Sequence, residues 1–475
     1  MKFSEIYQEK PSYIKDFEVA TVLCDSRKVV KNSVFFCICG TVTDGHKFAK
    51  SAYDNGAAAI FCEKDLGLDN QIIVDDTKAV YSLLCANYFG NPAKKLKLIG
   101  VTGTSGKTSV TYMTKSLLEK QGKKVGLIGT IQNIIGDSIL PAKNTTPDAY
   151  ELQSLFDLMV KAGCEYVVME VSSHALDQKR VYNLDFECAV FTNLTQDHLD
   201  YHITMENYLQ AKLKLFKMAK CAIVNLDDDY SKQVIDSCEC PVKTFSTEIN
   251  EADYVAKEIK YLPNGVNYEL VTDCNIGRVR ISTPGIFSVY NSMAAGIVGI
   301  CIGIPFNKVV EGLCEVSAVK GRVELVPCDK DFTPVIDYAH TPDELENVCT
   351  MLNKIKVGRL VTVFGCGGDR DKTKRPIMGE IAARLSDFVV VTSDNPRSED
   401  PNLIIEDILV GMKGIKTPYK VIENRAKAIE FALKNAEKDD IILLAGKGHE
   451  TYQILADGTI HFDEREVIAD CLSKM

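Results

Sequence analysis

Short apolar runs alternate with amphipathic stretches along most of the chain. Between residues 95 and 226 the apolar runs are continuous and end in turn residues, which predicts buried strands. These runs are KLIGVTG, KKVGLIGT, EYVVMEVS, CAVFTNLT and CAIVNL. Helical spacing separates them at 107–121, in DAYELQSLFDLMVKAG and in MENYLQAKLKLF. Continuous apolar strands between helices predict a parallel sheet that is covered on both faces.

The pattern changes between residues 252 and 283, where polar and apolar residues alternate. Asn264-Gly265 is a strong hairpin signal, so we expect an antiparallel segment beside the parallel sheet. A helical stretch is expected at about 288–318. A second alternation of strands and helices starts near residue 332 and predicts a separate α/β domain. Its strands are TPVIDYA, RLVTVFG, DFVVVTS and DIILLAG, and its helices are PDELENVCTMLNKI, KRPIMGEIAARL and NRAKAIEFALKNA.

Three α/β domains are expected in all. From residue 18 to about 90, the runs SVFFCICG, AAAIFCE and QIIVDD alternate with turn residues and predict a small α/β domain. GNPAKK at 90–95 is typical of a linker, because Asn-Pro interrupts regular structure. A length of 475 residues also favours several domains. We place the domains at 1–92, 93–328 and 329–475.

Composition and net charge indicate which binding partners and which cellular compartment to expect. The formal net charge of -10 argues against nucleic acid or an anionic membrane as the main partner. The 17 cysteines form no CxxC pair, so we expect reduced, mostly buried thiols and a cytoplasmic protein rather than a disulfide scaffold or a zinc site. The first 20 residues lack the apolar core of a signal peptide, and the apolar run at 294–306 is too short to span a bilayer.

The clearest candidate chemistry lies at Gly103-Thr104-Ser105-Gly106-Lys107-Thr108, between a predicted strand and a predicted helix. It resembles a phosphate-binding loop, but the common form G-x-x-x-x-G-K-[ST] requires glycine at position 101, which is valine here. Glycines let the backbone approach phosphate oxygens, and the helix N-terminus favours anions. Lys107 can neutralise a terminal phosphate, and the Thr108 hydroxyl can bind Mg²⁺. We therefore predict nucleotide binding.

Two later residues are placed to complete a phosphoryl-transfer site. Glu170 ends the apolar strand EYVVME, at the carboxyl edge of the sheet where α/β proteins bind ligands. A carboxylate there is a natural Mg²⁺ ligand. His198, in NLTQDHLDYH, follows another predicted strand.

Together these features resemble the Mur ligase family, which shares the shortened loop with folylpolyglutamate synthases. Within the family, the set is similar to the members that add diaminopimelate. Each motif is weak alone, but their order along nearly the whole chain is specific. The motifs are DSRKV (25–29), DGHKF (44–48), GTSGKT (103–108), NTTPD (144–148), MEVSSHALDQKR (169–180), TNLTQDHLDYH (192–202), AKLKLF (211–216), GRVE (321–324), DYAHTPD (337–343), FGCGGDRDKTKRP (364–376), DNPRSEDP (394–401) and GKGHE (446–450).

The resemblance implies a three-domain fold and an ATP-driven reaction. The architecture would be a small N-terminal α/β domain that binds a UDP-sugar, a central domain like those of P-loop ATPases, and a C-terminal Rossmann-like domain that binds an amino acid. ATP would phosphorylate a carboxylate of UDP-N-acetylmuramoyl-L-alanyl-D-glutamate, and the amine of diaminopimelate would displace phosphate from the acyl phosphate. This is a step of peptidoglycan synthesis, with Mg²⁺ as cofactor and a monomeric enzyme expected.

The resemblance also assigns roles residue by residue. The catalytic residues would be Lys107, Glu170, His198 and Lys212. ATP would contact Gly103 to Thr108, Asn291, Arg322 and Asp337. Magnesium would contact Thr108, Glu170, His198 and Lys212, the last as an N6-carboxylysine. The UDP-sugar would contact Ser26, His46, Thr145, Thr146, Ser172, Gln178 and Arg180. Diaminopimelate would contact Arg370, Asp394, Asn395, Pro396, Arg397, Gly446 and Glu450.

Arg397 is the residue expected to select diaminopimelate over lysine as the amino-acid substrate. Diaminopimelate has a distal carboxylate that lysine lacks, and an arginine can grip a carboxylate through two parallel hydrogen bonds. Lysine-adding relatives lack the arginine in this motif, so they are the first alternative. A folylpolyglutamate synthase, a P-loop switch or motor ATPase, and a non-catalytic relative are further alternatives. The meso isomer of diaminopimelate is expected, although the sequence leaves meso and LL open.

Two positions depart from the family pattern. Asn32 stands where relatives carry glycine, and asparagine tolerates the left-handed backbone that such a turn needs. Ser288 replaces an asparagine, which puts one local contact in doubt.

Overall fold

The computed structural model describes residues 1–40, 43–262 and 264–475. Its strands form three successive parallel-dominated sheets and one small hairpin. The first sheet is made entirely of parallel strands in the order β1-β2-β3-β4. The elements of this first region are α1 (Phe3–Ile6), β1 (Thr21–Leu23), β2 (Ser33–Phe36), α2 (Ala49–Asp54), β3 (Ala57–Cys62), β4 (Gln71–Ile73) and α3 (Thr77–Tyr88).

The second sheet has eleven strands. The first half of this region contains β5 (Lys97–Thr102), α4 (Lys107–Lys120), β6 (Val125–Ile128), β7 (Gln132–Ile135), β8 (Ser138–Pro141), α5 (Ala149–Lys161), β9 (Tyr166–Glu170), α6 (Ser173–Asp177), β10 (Phe186–Phe191), α7 (Leu199–His202) and α8 (Met205–Leu213). The second half contains β11 (Ala222–Asn225), α9 (Ser231–Asp236), β12 (Val242–Ser246), β13 (Tyr254–Leu262), β14 (Gly265–Val271), β15 (Ile276–Ile281), α10 (Ile286–Cys301) and α11 (Phe306–Cys314).

The strand order of the second sheet is β15-β14-β13-β12-β11-β10-β5-β9-β6-β7-β8. The strands from β13 to β6 run parallel, and an antiparallel pair extends each edge. The predicted hairpin at Asn264-Gly265 is present, since β13 pairs with β14, but it continues the parallel sheet rather than standing beside it. The pair β7–β8 at the opposite edge was not predicted.

Apolar side chains cover both faces of this sheet, as the continuous strand runs predicted. Helices α4, α10 and α11 contribute to the core on one face. Helices α5 and α8 contribute to the core on the other. The helical stretch expected at 288–318 is two helices, because Gly303 adopts a positive φ of 94° and ends the first.

The third sheet has the order β16-β17-β21-β18-β19-β20, with only β16 antiparallel. Its region contains β16 (Glu324–Leu325), β17 (Thr333–Asp337), α12 (Pro342–Ile355), β18 (Leu360–Phe364), α13 (Lys374–Leu385), β19 (Phe388–Val391), α14 (Pro401–Met412), β20 (Tyr419–Val421), α15 (Arg425–Lys434), β21 (Ile441–Ala445), the hairpin of β22 (Tyr452–Leu455) and β23 (Gly458–His461), and α16 (Glu464–Ser473). Because β16 already belongs to this sheet, we propose that the second domain boundary lies before Glu324, slightly earlier than residue 328.

Asn32 adopts φ 66°, which confirms the left-handed turn expected there. All 17 cysteines are free thiols, and eight of them are buried: Cys37, Cys62, Cys85, Cys164, Cys188, Cys349, Cys366 and Cys471. The expectation that most of the thiols are buried is therefore wrong, because nine lie at least partly at the surface. Among the described residues, no helix is both long and apolar enough to cross a membrane.

Candidate active site

The phosphate-binding loop joins β5 to α4, as predicted. Its two glycines have positive φ, 152° at Gly103 and 85° at Gly106. A Cβ on Gly103 would lie 1.8 Å from the Thr192 hydroxyl oxygen, and a Cβ on Gly106 would lie 2.5 Å from Asn291 Oδ1. Both positions therefore require glycine for space as well as for backbone conformation. The loop opens directly onto the N-terminus of α4.

The half-buried Lys107 and the buried Lys212 share one carbonyl of this loop. The Lys107 ammonium donates to Gly103 O at 2.9 Å and Thr104 O at 2.6 Å. The Lys212 Nζ donates to Gly103 O at 2.8 Å and lies 4.4 Å from the Tyr208 ring centroid. Burial lowers the pKa of Lys107, and burial together with the Lys107 charge holds the pKa of Lys212 well below its ordinary value. No sequence pattern indicates that these lysines lie side by side.

The Glu170 carboxylate lies beneath the loop and is almost fully buried. Its Oε1 accepts hydrogen bonds from the Thr108 hydroxyl at 3.0 Å and from the Thr130 N–H at 2.8 Å. Thr130, which was not predicted as a site residue, also donates its hydroxyl to Oε2 at 3.0 Å. Glu170 and Thr108, predicted as magnesium ligands, are thus in direct contact.

This pair fits the chemistry of Mg²⁺. In the part of the chain that the structure describes, no three His, Cys, Asp or Glu side chains converge as a metal cage. Magnesium usually binds through one or two carboxylates together with phosphate oxygens and waters rather than through such a cage. One carboxylate and one hydroxyl at a phosphate-binding loop are therefore a suitable donor set.

His198 lies apart from this pair, at the start of α7. It has a left-handed φ of 55°, and its ring is half exposed, 3.4 Å from the Asp197 carboxylate. The His174 ring lies 4.8 Å away, centroid to centroid, and both rings line the larger of two cavities near the loop. His174 was not predicted as a site residue, although it lies within the MEVSSHALDQKR motif.

The smaller cavity, of about 300 Å³, lies between the phosphate loop and the third sheet region. Asn291, Arg322 and Asp337 all line it, as expected for nucleotide contacts. The Arg322 guanidinium donates to the Thr108 hydroxyl at 3.2 Å and stacks 4.9 Å from the Tyr338 ring centroid. The Asp337 carboxylate accepts backbone N–H groups from Val323 and Ala339, each at 2.7 Å. Burial raises the pKa of Asp337 to about 6.

Glu344 joins the third region to the phosphate loop. Its carboxylate accepts the Ser105 hydroxyl at 3.3 Å and contacts the His340 ring at 3.1 Å. Burial alone would raise the pKa of Glu344, but the His340 and Arg322 charges hold it well below its usual range. Neither Glu344 nor His340 was predicted as a site residue, although DYAHTPD ends one residue before Glu344.

Five of the residues predicted for the UDP-sugar form one hydrogen-bonded network at the carboxyl end of β9. The Thr146 hydroxyl donates to Glu170 O at 2.9 Å and accepts the Ser172 N–H at 3.0 Å. Arg180 donates to Thr146 O at 2.7 Å and through two N–H groups to Gln178 Oε1. The Thr145 hydroxyl lies 3.0 Å from that of Thr130, which connects this network to Glu170.

The two residues predicted in the first region differ from this group. Ser26 starts a short 3-10 helix, Ser26–Lys28, that is capped by the Asp25 carboxylate. His46 is buried with both ring nitrogens engaged, Nδ1 with the Asp44 carboxylate at 2.6 Å and Nε2 as acceptor of the Glu63 N–H at 3.0 Å. The structure therefore gives His46 a role in holding its own loop, and it does not support a hydrogen bond to a ligand.

The larger cavity, of about 710 Å³, gathers most of the residues predicted for diaminopimelate. Its lining includes Arg370, Asp394, Asn395, Arg397, Gly446 and Glu450. Arg397 has a left-handed φ of 53°, a strained state for a residue with a side chain, and its Nη1 donates to Gly368 O at 2.9 Å. A Cβ on Gly446 would lie 2.5 Å from Asp394 Oδ2, so a side chain there would collide with the wall of the cavity.

Comparison with known proteins agrees with this arrangement. Three family models match the chain in the order of its three sheets: "Mur ligase family, catalytic domain" at residues 18–87, "Mur ligase middle domain" at 101–299 and "Mur ligase, glutamate ligase domain" at 321–448. Two curated relatives are named UDP-N-acetylmuramoyl-L-alanyl-D-glutamate–2,6-diaminopimelate ligase. That of Caldanaerobacter subterraneus subsp. tengcongensis is 50% identical over 463 residues, 96% of this chain and 95% of its own. That of Clostridium botulinum is 46% identical over 476 residues, 98% of each chain.

Solved structures show the same likeness. A structure of a UDP-N-acetylmuramoyl-L-alanyl-D-glutamate–2,6-diaminopimelate ligase aligns with a TM-score of 0.71 and 32% identity, covering 100% of this chain and 99% of that one. MurF ligase from Thermotoga maritima in complex with ADP aligns with a TM-score of 0.64 at 20% identity, covering 98% and 99%, which shows a common fold. The predicted family and three-part α/β architecture are confirmed. The chain belongs to the Mur ligase family of ATP-dependent amide-bond ligases.

Proposed function

We propose that this enzyme adds diaminopimelate to UDP-N-acetylmuramoyl-L-alanyl-D-glutamate in the cytoplasm, with ATP converted to ADP and phosphate. The meso isomer is the proposed substrate. The names of the relatives, at 46–50% identity over nearly full length, support this choice. A monomeric enzyme is proposed.

The observation that carries the proposal is the meeting of two cavities. Thr195 and Asp343 line both the 300 Å³ cavity beside the phosphate loop and the 710 Å³ cavity that holds Arg397. The Thr195 hydroxyl donates to Asp343 Oδ2 at 3.2 Å, which links the central and C-terminal regions at that point. A nucleotide in the smaller cavity and an amino acid in the larger one would therefore approach each other across this contact.

The chemistry follows from the charges on either side. An oxygen of the substrate carboxylate attacks the γ-phosphorus of ATP, the bond to ADP breaks, and an acyl phosphate forms. The amine of the amino acid then attacks the acyl carbon, loses a proton, and phosphate leaves with the former carboxylate oxygen. Two anions must meet in the first step, so catalysis depends on positioning and charge neutralisation. Lys107 and the N-terminus of α4 are placed to supply both.

Glu170 and Thr108 would hold Mg²⁺, with His198 and Lys212 as further candidates. When bound, Mg²⁺ supplies positive charge to the phosphate oxygens. Lys212 as an N6-carboxylysine would present a carboxylate in place of an ammonium. Formation of such a carbamate requires the neutral amine, and the low pKa of Lys212, set by burial and by the Lys107 charge, favours that form. Under these assignments Lys107 acts as a cation, and Lys212 acts as an anion in its carbamate form.

Selection of diaminopimelate is assigned to the walls of the larger cavity. Arg397 would bind the distal carboxylate, and Glu450 would bind the distal ammonium. A lysine-adding enzyme would need no cation at the position of Arg397. An ATPase of the switch or motor class would need neither group, and it would release phosphate without an amino acid.

Phosphate release from ATP in the presence of UDP-muramoyl-dipeptide tests the proposal. We expect release with diaminopimelate, together with a tripeptide product seen by mass spectrometry, and little release with lysine or glutamate. Equal or faster release with lysine would replace the proposal by the lysine-adding alternative. Release with glutamate would favour a folylpolyglutamate-type activity, and release that needs no amino acid would favour a switch or motor ATPase.

A further inference from the structure

Lys447 is a buried cation behind the wall of the larger cavity, and none of the assigned roles uses it. It belongs to GKGHE, between Gly446 and Glu450, and its side chain is 0% exposed. Its ammonium donates to Asn395 Oδ1 at 2.8 Å and to Glu450 Oε2 at 2.9 Å, and it lies 3.6 Å from Asp394 Oδ1. All three partners line the cavity.

The first consequence concerns the Asn395 amide. Its Oδ1 receives the Lys447 ammonium and also the Ile454 N–H at 2.9 Å. Both of these groups can only donate, so the atom facing them must be the amide oxygen. The NH₂ group is thereby turned toward Glu450 Oε2, at 2.9 Å. Lys447 and the Ile454 N–H thus fix together which end of the amide the cavity presents.

The second consequence concerns Glu450. Its Oε2 already accepts from both Lys447 and Asn395, so Oε1 is the carboxylate oxygen left for a substrate ammonium. The second N–H of the Asn395 amide remains a donor for a substrate carboxylate. One lysine therefore orients an acceptor and a donor on neighbouring side chains.

The third consequence is electrostatic. Asp394 and Glu450 place two negative charges on this wall, and Lys447 and Arg397 place two positive ones. The balanced set matches the distal end of diaminopimelate, which carries one carboxylate and one ammonium. Without Lys447 the other three residues would carry a net negative charge and would favour a distal ammonium alone, as in lysine.

Building on the proposed function, we propose that Lys447 is a positioning residue that sets the preference for a distal zwitterion by orienting Asn395 and Glu450. It does not contact the reacting amine. Its loss should therefore raise the KM for diaminopimelate and leave the KM values for ATP and UDP-muramoyl-dipeptide unchanged.

Lys447→Met tests this, since methionine has a similar length but neither charge nor donor. We expect the KM for diaminopimelate to rise about 10- to 100-fold, the range for losing hydrogen bonds to charged groups. The ratio of diaminopimelate to lysine use should fall, because lysine keeps the distal ammonium and lacks the distal carboxylate. Lys447→Gln keeps one donor and should show an intermediate effect, and it carries the test if the methionine variant does not fold.

Arg359→Met is the matched control. Arg359 pairs with the buried Asp440 carboxylate at 2.7 Å in the same domain, at the opposite end of the strands. It should lower the melting temperature without changing any KM. In a double variant with Asn395→Ala, the effects of Lys447→Met on KM should not add, because one residue acts through the other.

Unchanged KM and unchanged amino-acid preference in a folded Lys447 variant would overturn the inference, as would equal increases in the KM for all three substrates. Those results are distinct from failure of the proposed function, which would appear as no use of diaminopimelate by the wild-type enzyme.

Discussion

The lysines at the phosphate loop and the lysine behind the larger cavity have opposite kinds of hydrogen-bond partners. At the phosphate loop, Lys107 and Lys212 hydrogen bond only to backbone carbonyls among the described residues, and they share Gly103 O. In the amino-acid cavity, Lys447 is held by two carboxylates and an amide oxygen. The first arrangement leaves the Lys107 ammonium without a hydrogen-bonded carboxylate, which suits a polyphosphate. The second neutralises its charge within the wall, which suits a zwitterion.

The contrast explains how one chain can bind substrates of such different charge. Uncompensated buried cations are costly, because burial disfavours their charged form and each cation repels its neighbour. Paired cations cost less and instead fix the orientation of their partners. Substitutions at the two sites test this difference between them. The largest loss of activity is expected at the phosphate loop.

Lys107→Ala should abolish phosphoryl transfer, with a loss of about 10⁴-fold, because the charge that faces the terminal phosphate disappears. The measurement is single-turnover phosphate release with all substrates saturating. Thermal melting checks that the variant is folded. Phosphate release near the wild-type rate would show that the loop does not serve ATP.

Lys212→Ala should be nearly inactive, with a loss of about 10³-fold. Added short carboxylates such as acetate or formate should restore part of the activity, because they can stand in for the proposed carbamate. Rates are measured at limiting Mg²⁺ with and without these anions. Full activity without any addition would exclude a catalytic carbamate at this position.

Arg397→Ala should lower kcat/KM for diaminopimelate by roughly 30- to several-thousand-fold, because a buried charged hydrogen bond is left unpaired. ATP and UDP-muramoyl-dipeptide should bind almost as before. Lysine should gain relative to diaminopimelate without becoming an efficient substrate, since the pocket still fits the larger molecule. An unchanged preference between the two amino acids would assign selectivity to another group.

The smallest effect is on stability, and its sign differs between the two sites. Lys212→Met should raise the melting temperature by about 2–4 °C, because an amine that is costly to bury is replaced by an apolar side chain of similar length. Lys447→Met should lower it, because Asp394 and Glu450 lose their shared partner. Differential scanning calorimetry of both variants measures this, and shifts of the same sign would contradict the contrast.

The pH dependence sharpens the same test. The pKa of Lys212 in the folded chain lies well below its ordinary value of 10.5. At any pH between the folded-state pKa and 10.5, the unfolded chain therefore binds a proton at Lys212 that the folded chain does not. The wild-type enzyme therefore gains stability from this group as pH rises toward 10.5. The advantage of Lys212→Met should be larger at pH 7 than at pH 10. An advantage that grows with pH would mean that Lys212 is charged in the fold.

The sequence predicted the alternating strands and helices of the molecule well. The continuous apolar runs around Glu170 and the hairpin at Asn264-Gly265 are local patterns, and the structure contains both. The edge pair β7–β8 was missed because the alternation in its two short strands is weak. The hairpin β22–β23 was missed in the same way, although it supplies the Ile454 N–H that donates to Asn395 Oδ1.

Site residues were predictable when their chemistry is local and were missed when it depends on distant partners. The loop from Gly103 to Thr108 consists of consecutive residues, so its motif is recognisable in sequence. Lys447 looks like an ordinary lysine in sequence, because its partner Asn395 lies 52 residues earlier. His46 shows the converse, since a residue expected to bind a ligand is fully engaged by Asp44 and Glu63.

The central claim is that ATP activates a carboxylate for attack by an amine. It is tested most directly with UDP-muramoyl-dipeptide that is labelled with ¹⁸O in both free carboxylates of its glutamyl residue and incubated with ATP and diaminopimelate. We predict that each phosphate released carries one ¹⁸O atom, because the carboxylate oxygen leaves with it when the amide forms. Phosphate without ¹⁸O, released at the same rate, would mean that water attacks ATP and that the protein is not a ligase of this kind.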